Sequence, residues 1–446
     1  MRFIPTWRLA VAMAAGGVVV LAVPAAPVAA FWGINLLLLV VALVDAMRIP
    51  RVRALEVTRD VPAVIPLDSQ GTVTWTVHNH GTSAAVVRLA DDLAPSLRPE
   101  NRRARVRVGP GQEVTASTTL QPSRRGRFQF AQITLRAEGP WRLVARQRAV
   151  QVASTLRVYP MFRSRKEAEL RIERGRILEH GLRSVRARGS GTEFEQLREY
   201  TVDDEFRHID WFATARSQHA VVRTYRAERN QTVMLLLDTG RLMAHRVRDP
   251  QARGEVWGDV PRLDHAMDAV MMMTTVATRL GDRAGMVAFS DQVHAAVAPG
   301  HTRLQLGRVT EAMYALEPQL VESDYRAAFT ETLSRYRRRS MLVVLSELVP
   351  EAVEETLIPA LPMVLRSHIV VVAAVRDPGV QLWANANAVE PSEAYRKAAA
   401  VDALEKRRRL TARLRGMGAV VIDEPPGQLA PRLADAYLQV KSTGRL

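Results

Sequence analysis

The run Thr232–Asp238, TVMLLLD, narrows the possible folds more than any other stretch. Its apolar residues follow one another without the alternation of a half-exposed strand, and polar residues bound them on both sides. Such a run fits a strand covered on both faces, as in a parallel sheet. It ends on a carboxylate, and open α/β sheets carry their working groups just beyond the carboxyl ends of strands. Asp238 is therefore a candidate site residue. Downstream, helix and strand patterns alternate. Apolar residues at helical spacing run from Leu263 to Leu280, and Ala284–Ser290 (AGMVAFS) is a second buried strand. Leu304–Leu316 and Tyr325–Tyr336 read as helices, and Met341–Leu345 as a strand ending at Ser346-Glu347. Pro350–Leu365, His368–Val375, Ser392–Leu414, Ala419–Asp423 and Gln428–Val440 continue the pattern. Residues 231–446 are expected to form a doubly wound, mostly parallel α/β domain with helices on both faces.

The other end of the chain is constrained differently. Leu9–Ala30 is almost free of polar residues, broken by Gly16, Gly17, Pro24 and Pro27, and Phe31–Val44 is apolar again up to Asp45. Each piece approaches the roughly 20 residues that span hydrocarbon, with prolines where a hairpin would turn. Arg2 and Arg8 precede the first piece, and Arg48, Arg51 and Arg53 follow the second. The positive-inside rule then puts both ends in the cytoplasm. Residues 1–48 are expected to be a transmembrane hairpin. The alternative is a signal peptide cleaved near Val28-Ala29-Ala30, followed by a stop-transfer helix. Either way the remaining domains face the cytoplasm from the inner membrane.

Residues 51–160 show period-2 alternation, as in Gly71–Val77, with turn clusters such as His78-Asn79-His80-Gly81 and Gly109-Pro110-Gly111. Short strands about ten residues apart predict an antiparallel sandwich of immunoglobulin-like type. Arg102, Arg103, Arg105, Arg124 and Arg125 on its turns are either solvated or face lipid head groups.

Composition removes several functions. At 446 residues and 47% hydrophobic content the chain holds two or three domains with proper cores. The net charge of +16 is largely arginine. With no helix-turn-helix, zinc-finger or aromatic-basic single-strand motif, nucleic acid is not the expected partner; an anionic lipid surface or plain solvation accounts for the charge. The chain has no cysteine, which excludes disulfides, zinc thiolates and thiol nucleophiles. It carries no Walker A loop, nucleophile elbow or H-E-x-x-H helix. A non-enzymatic role is expected, with no cofactor. The enzymatic alternative is a hydrolase using Asp238, Glu347 and a metal.

Residues 161–230 form a connector. Arg163–Arg188 is dense in Arg and Glu and reads as a solvated, mobile charge run. Then comes REYTVDDEFRHIDWFATAR, Arg198–Arg216, where Arg198, Asp204, Arg207, Asp210 and Arg216 suggest an ion-pair network and Trp211 an aromatic cover. That network either clamps the segment onto the next domain or forms a contact surface for a partner.

This wording resembles the bacterial family called domain of unknown function 58, in which R-x-Y-x-x-G-D-x-x-R-x-I-D-W-x-x-x-A-R precedes a strand ending in D-x-S-x-S-M. Arg198, Tyr200, Asp204, Arg207, Ile209, Asp210, Trp211, Ala215 and Arg216 match, while Asp203 stands at the usual Gly. The resemblance implies a von Willebrand factor A-like (Rossmann-like) α/β domain and association with MoxR-type AAA+ ATPases. It also implies a magnesium site supplied by three loops. Here Gly240 and Leu242 replace the two serines of the first loop, Ser323 is the second-loop candidate, and Glu347 stands in place of Asp in the third. Asp238, Ser323 and Glu347 completed by waters would be a degenerate magnesium site; otherwise Arg241 pairs with Asp238 or Glu347 and stands in for the cation.

Overall fold

Alternation between residues 51 and 160 becomes two facing sheets. The computed structural model describes residues 2–21, 27–50, 52–67, 69–186, 193–201, 206, 209–217, 219–226, 231–248 and 260–443. The chain divides into two units, residues 1–159 and 160–446. In the first, strands β1 (Arg2–Pro5), β2 (Leu55–Asp60), β3 (Val64–Pro66), β4 (Gly71–Asn79), β5 (Ala85–Asp91), β6 (Arg103–Val108), β7 (Glu113–Leu120), β8 (Gly126–Glu138) and β9 (Val144–Tyr159) are arranged in a sheet of order β1-β9-β8-β5-β6, with β3 also on β9, and a sheet of order β2-β4-β7. The long β9 and the opening strand β2 were not among the predicted strands. Burial alternates along β2 and β4, and Val57, Val73, Trp75 and Val77 turn inward, as Leu89, Leu135 and Leu156 do from the other sheet.

One ion pair ties the two sheets together. Arg59 on the inner face of β2 meets Asp91 at the end of β5, both side chains fully buried. Arg59 also donates to the carbonyl of Val152 and to Ser154 Oγ, and Trp75 Nε1 donates to Asp91 Oδ2 at 2.5 Å. Arg59 is also 3.1 Å from Asp92, so removing Arg59 is the change that strands the buried Asp91 carboxylate, a cost of about 3–5 kcal/mol.

The apolar beginning of the chain forms α1 (Trp7–Leu21) and α2 (Pro27–Met47). They pack together, and a Cβ on Gly16 would come within 2.8 Å of Ile34 Cγ2. Among the described residues only α2 belongs to a helix long and apolar enough to cross a membrane; α1, at 15 residues, is a shorter apolar helix. The two predicted spans thus differ from each other in reach.

The second unit begins with α3 (Arg165–Arg186), a 22-residue helix where a mobile charge run was expected. Arg, Glu and Leu are strong helix formers, and Ala168 and Ile172 supply a buried stripe. A Cβ on Gly175 would approach Leu280 and Leu438, so α3 lies close upon later helices. A separate two-stranded sheet, β10 (Glu193–Glu199) and β11 (Val221–Arg226), encloses α4 (Trp211–Ser217).

The alternation beyond residue 231 is a doubly wound sheet. Strands β12 (Thr232–Asp238), β15 (Arg283–Phe289), β17 (Met341–Leu345), β18 (Ile369–Val375) and β19 (Val420–Glu424) are parallel, and β16 (Val293–Gly300), which the sequence reading passed over, closes one edge antiparallel. A short pair, β13 (Arg246–Val247) and β14 (Val260–Pro261), lies apart. The order is β16-β15-β12-β17-β18-β19. Helices α5 (Arg262–Arg279), α6 (Gln305–Met313), α7 (Tyr325–Arg335), α8 (350–365), α9 (Pro378–Asn385), α10 (Pro391–Gly416) and α11 (Leu429–Ser442) connect and cover the strands. Along β12, Val233, Leu235 and Leu237 join α3, α5 and α11 in one core, whereas Met234 and Leu236 join α7, α8 and α10 in another. The unbroken apolar run is the consequence of these two cores.

Asp268, on α5 among the methionines, is buried and accepts the N–H of Ser164 at 3.1 Å. Burial pushes its carboxyl up from 3.8 to about 6, against that hydrogen bond and Arg163. A folded-state value above the unfolded one stabilises the fold fully below pH 3.8, and the contribution is lost as pH rises through about 6. The interval corresponds to about 3 kcal/mol. Asp268→Asn, which keeps an acceptor for Ser164, is expected to remove that slope. Thermal melting of both proteins in detergent from pH 4 to 8 should show the wild type losing stability relative to the variant as pH rises; parallel curves would refute it.

Candidate functional site

Strand β12 is where the sheet reverses direction. From it the chain passes to β15 on one side and then to β17 on the other. The carboxyl end of such a strand opens a crevice, because the flanking loops diverge to opposite faces. Asp238 sits there, 1% exposed. Four donors reach its carboxylate. Gly240 N (2.7 Å) and Ser323 Oγ (2.5 Å) donate to Oδ1, and Tyr325 OH (3.0 Å) and Ser346 Oγ (2.5 Å) donate to Oδ2. Tyr325 OH and Ser346 Oγ are also 2.6 Å apart. Burial pushes the Asp238 carboxyl above its ordinary range while these donors pull it down, and it drives the Tyr325 hydroxyl well up.

The structure brings Asp238, Gly240 and Ser323 together, positions that the family resemblance pointed to, and adds Ser346 and Tyr325, which sequence reasoning did not single out. The signal for Ser346 was present: it immediately follows the third buried strand. Gly240 is needed by space rather than by backbone angle, since its φ is −72°. A Cβ there would fall inside the contact distance of Ser323 Oγ. The absence of a side chain at position 240 is what lets Ser323 close directly on Asp238. Leu242 and Arg241 line the shallow cleft beside Ser323 and Tyr325.

Two expectations are overturned. Arg241 does not stand in for a cation at Asp238; its Nη2 donates to Glu322 Oε1 at 2.7 Å. Glu347 is not a third-loop ligand. It is 2% exposed and lies between two guanidiniums, bonded to Arg407 and 3.0 Å from Arg262 Nε. Arg407 in turn holds Asp423 through two bonds of 2.8 Å. A carboxylate so placed faces α10 and α5, and Ser346, one residue earlier, faces Asp238 instead. Nor does the donor set fit magnesium: it offers one carboxylate, already met by four donors, where an octahedral ion needs several free oxygens at short distance. Among the described residues no group of three His, Cys, Asp or Glu side chains is placed to hold a metal. At the neighbouring edge Ser290 Oγ lies 2.6 Å from His294 Nε2 and 2.8 Å from Asp291 Oδ1, a polar group that the sequence reading missed.

The Arg198–Arg216 motif builds the β10–α4–β11 module. Asp210 begins α4, its Oδ1 accepting from Phe212 N (3.0 Å) and Ala213 N (3.1 Å), as an N-cap carboxylate does. Its own N–H donates to Val221 O, Tyr200 N donates to Ala220 O, and Thr214 Oγ1 accepts from Val221 N. Ile209, Val221 and Val222 are buried. Asp210 is thus a structural residue. Arg198 begins no such cap; it lies in β10 opposite Val222 and donates to Glu199 O. Asp204 and Arg207 lie outside the described residues.

Around this frame the aromatic rings turn outward. Phe206, Trp211 and Phe212 are 66%, 61% and 79% exposed, and Phe206 sits 6.0 Å from Tyr200 and 6.1 Å from Trp211 between ring centres. Arg216 is also exposed, in the last turn of α4.

Gly240→Ala is expected to cost about 1–3 kcal/mol by overpacking. Ser323→Ala should cost about 1 kcal/mol through the lost hydrogen bond. The double variant should be less destabilised than their sum, since the second change removes the atom struck by the first. Melting curves of the four proteins measure this coupling; strict additivity would show that Gly240 is not held by Ser323.

No curated protein matches the chain. Solved structures resemble parts of it. One is a solution structure of the CARDB domain of PF1109 from Pyrococcus furiosus, 17% identical, covering 22% of this chain and 94% of that one with a TM-score of 0.16. Another is WR4, a C. elegans MSP family member, 10% identical, covering 23% and 97% with a TM-score of 0.16. A third is the Pseudomonas fluorescens alkylpurine DNA glycosylase AlkC bound to DNA containing an abasic site analog, 14% identical, covering 24% and 31% with a TM-score of 0.14. Likenesses of this extent carry no functional argument. The family described as Protein of unknown function DUF58 matches residues 196–382, a span that takes in both the motif module and the Asp238 edge, and this match supports placing the chain in that family.

Proposed function

We propose that the protein is a membrane-anchored, non-enzymatic adaptor whose α/β domain is von Willebrand A-like and binds a MoxR-type AAA+ ATPase, in assembly or maturation of envelope or other complexes. The observation that carries this reading is the set of exposed rings Phe206, Trp211 and Phe212, with half-buried Tyr200 against Phe206. Large aromatics are the residues most enriched in binding hot spots. Here Trp211 and Phe212 stand on α4, whose start is capped by Asp210 and which lies between the paired strands β10 and β11 in sequence. The ATPase itself comes from the family resemblance.

Anchoring is supported by α2, the one described helix long and apolar enough to cross a membrane. Arg48 after it favours the cytoplasmic side for the following domains. The adaptor works without a metal: Asp238 serves as an internal fastening of the loops that frame the crevice, and Glu347 is neutralised by arginine.

Affinity capture of the tagged full-length protein from gently solubilised membranes, compared with Phe206→Ala/Trp211→Ala, tests the reading. An AAA+ ATPase should accompany the wild type and be lost from the variant, whose melting temperature should be unchanged. Capture of the ATPase by both would move the contact away from the aromatic cluster. Capture by neither, with and without added nucleotide, would remove the proposed partner.

A further inference from the structure

The first unit holds a second set of exposed aromatics, placed where its helices leave the β-sandwich. Phe3 lies on β1, Trp7 is the first residue of α1, and Trp141 is in the turn between β8 and β9; they are 57%, 68% and 45% exposed. Each ring has a guanidinium over it. Arg146 Cζ is 4.6 Å from the centre of Phe3, Arg8 Cζ 5.8 Å from Trp7, and Arg48 Cζ 5.3 Å from Trp141.

This collar is held at a fixed level by the sandwich. Strand β1 pairs with Val144–Gln147 of β9, and Thr6 N donates to Leu143 O. At the far end of the helical pair Asp45, wholly buried, accepts the backbone N–H groups of Trp141 (2.9 Å), Leu143 (2.8 Å) and Val144 (3.0 Å). Gly139 leaves room for that carboxylate, since a Cβ there would strike it. Leu143 is therefore gripped through its N–H by α2 and through its C=O by the residue before α1. Both outer helix ends are fastened to one turn, and the three aromatic–arginine pairs surround it.

Aromatic rings with guanidiniums alongside are the chemistry of the lipid–water boundary, where the ring enters the acyl–headgroup border and the cation meets phosphate. The nearby acid of β8, Glu138, is buried and paired with Arg88, so it does not cancel the collar's charge. We propose that Phe3, Trp7 and Trp141, with Arg8, Arg48 and Arg146, form a docking collar for anionic phospholipid headgroups that seats the β-sandwich on the membrane surface. The proposal rests on the reading of α2 as a membrane span and adds the lipid class and the residues that meet it.

The test uses the full-length protein in lipid nanodiscs containing phosphatidylcholine with or without phosphatidylglycerol, one lipid at a time carrying brominated acyl chains that quench nearby tryptophan. The quenched component that disappears in Trp141→Phe belongs to Trp141. It should be stronger with brominated phosphatidylglycerol than with brominated phosphatidylcholine, about twofold for a site that concentrates anionic lipid. That excess should vanish in Arg48→Gln/Arg146→Gln and return in Arg48→Lys/Arg146→Lys. No difference between wild type and Trp141→Phe would place Trp141 in water and overturn the collar. Equal quenching by the two lipids would overturn its anionic preference. If alkaline carbonate strips the wild type from membranes, the span itself has failed and the collar falls with it; retention in carbonate with no Trp141 quenching sinks the collar alone.

Discussion

A carboxylate without access to water must be met by donors, and this fold places one at nearly every joint. Asp45 fastens α2 to the turn at 141–144, and Asp91 with Arg59 fastens the two sheets of the sandwich to each other. Asp268 receives the start of α3. Asp282, after α5, is met by Tyr437 and Lys441 of α11 and by the N–H of Gln231 before β12. Asp238 gathers three loops, and Glu347 with Arg262 and Arg407 joins β17 to α5 and α10. Apolar burial supplies most of the driving force but is non-directional. Donor geometry is directional, so these acids select which surface of each element meets which neighbour.

The same requirement explains the altered crevice. A metal-binding edge keeps oxygens free for an ion; this one spends its carboxylate on Gly240, Ser323, Tyr325 and Ser346. Restoring a side chain at position 240 alone would not reopen it, because Ser323 occupies the space. The bare backbone at Gly240 and the close seating of Ser323 depend on each other. The arginines complete it: Arg407 lies between Glu347 and Asp423, so the acids at the ends of β17 and β19, on either side of β18, are neutralised from within.

The sequence made the parallel sheet legible because a strand buried on two faces leaves an unbroken apolar run, and helices covering it leave 3.6-residue spacing. Met341–Leu345 was read to the residue, and α7 within one. What it concealed was whatever depends on tertiary partners. Strand β16 alternates weakly and carries Pro299 and Gly300 at its end, so only its pairing with β15 identifies it. In α3, abundant Arg and Glu hid a buried stripe of Ala168 and Ile172. At the site, Asp238 was readable from its place at the end of a buried strand, whereas Ser323 came from the family resemblance. The direction in which Glu347 points was not, because it is set by arginines 85 residues before and 60 after it.

The motif illustrates how a charged stretch can conceal its own division of labour. Among its described residues Asp210 accepts backbone N–H groups at a helix start, and Ile209 anchors the turn in the buried side. With those positions holding the fold, Phe206, Trp211 and Phe212 contribute little to it. Burying each would release a few kcal/mol, about 25 cal/mol per Å² of apolar surface. Trp211 and Phe212, carried on a capped helix, lose less conformational entropy when they are covered than rings on an unpaired segment would. The structural residues of the motif thus make the exposed ones effective, and reading the motif as either a clamp or a contact surface sets apart two roles that its residues divide between them.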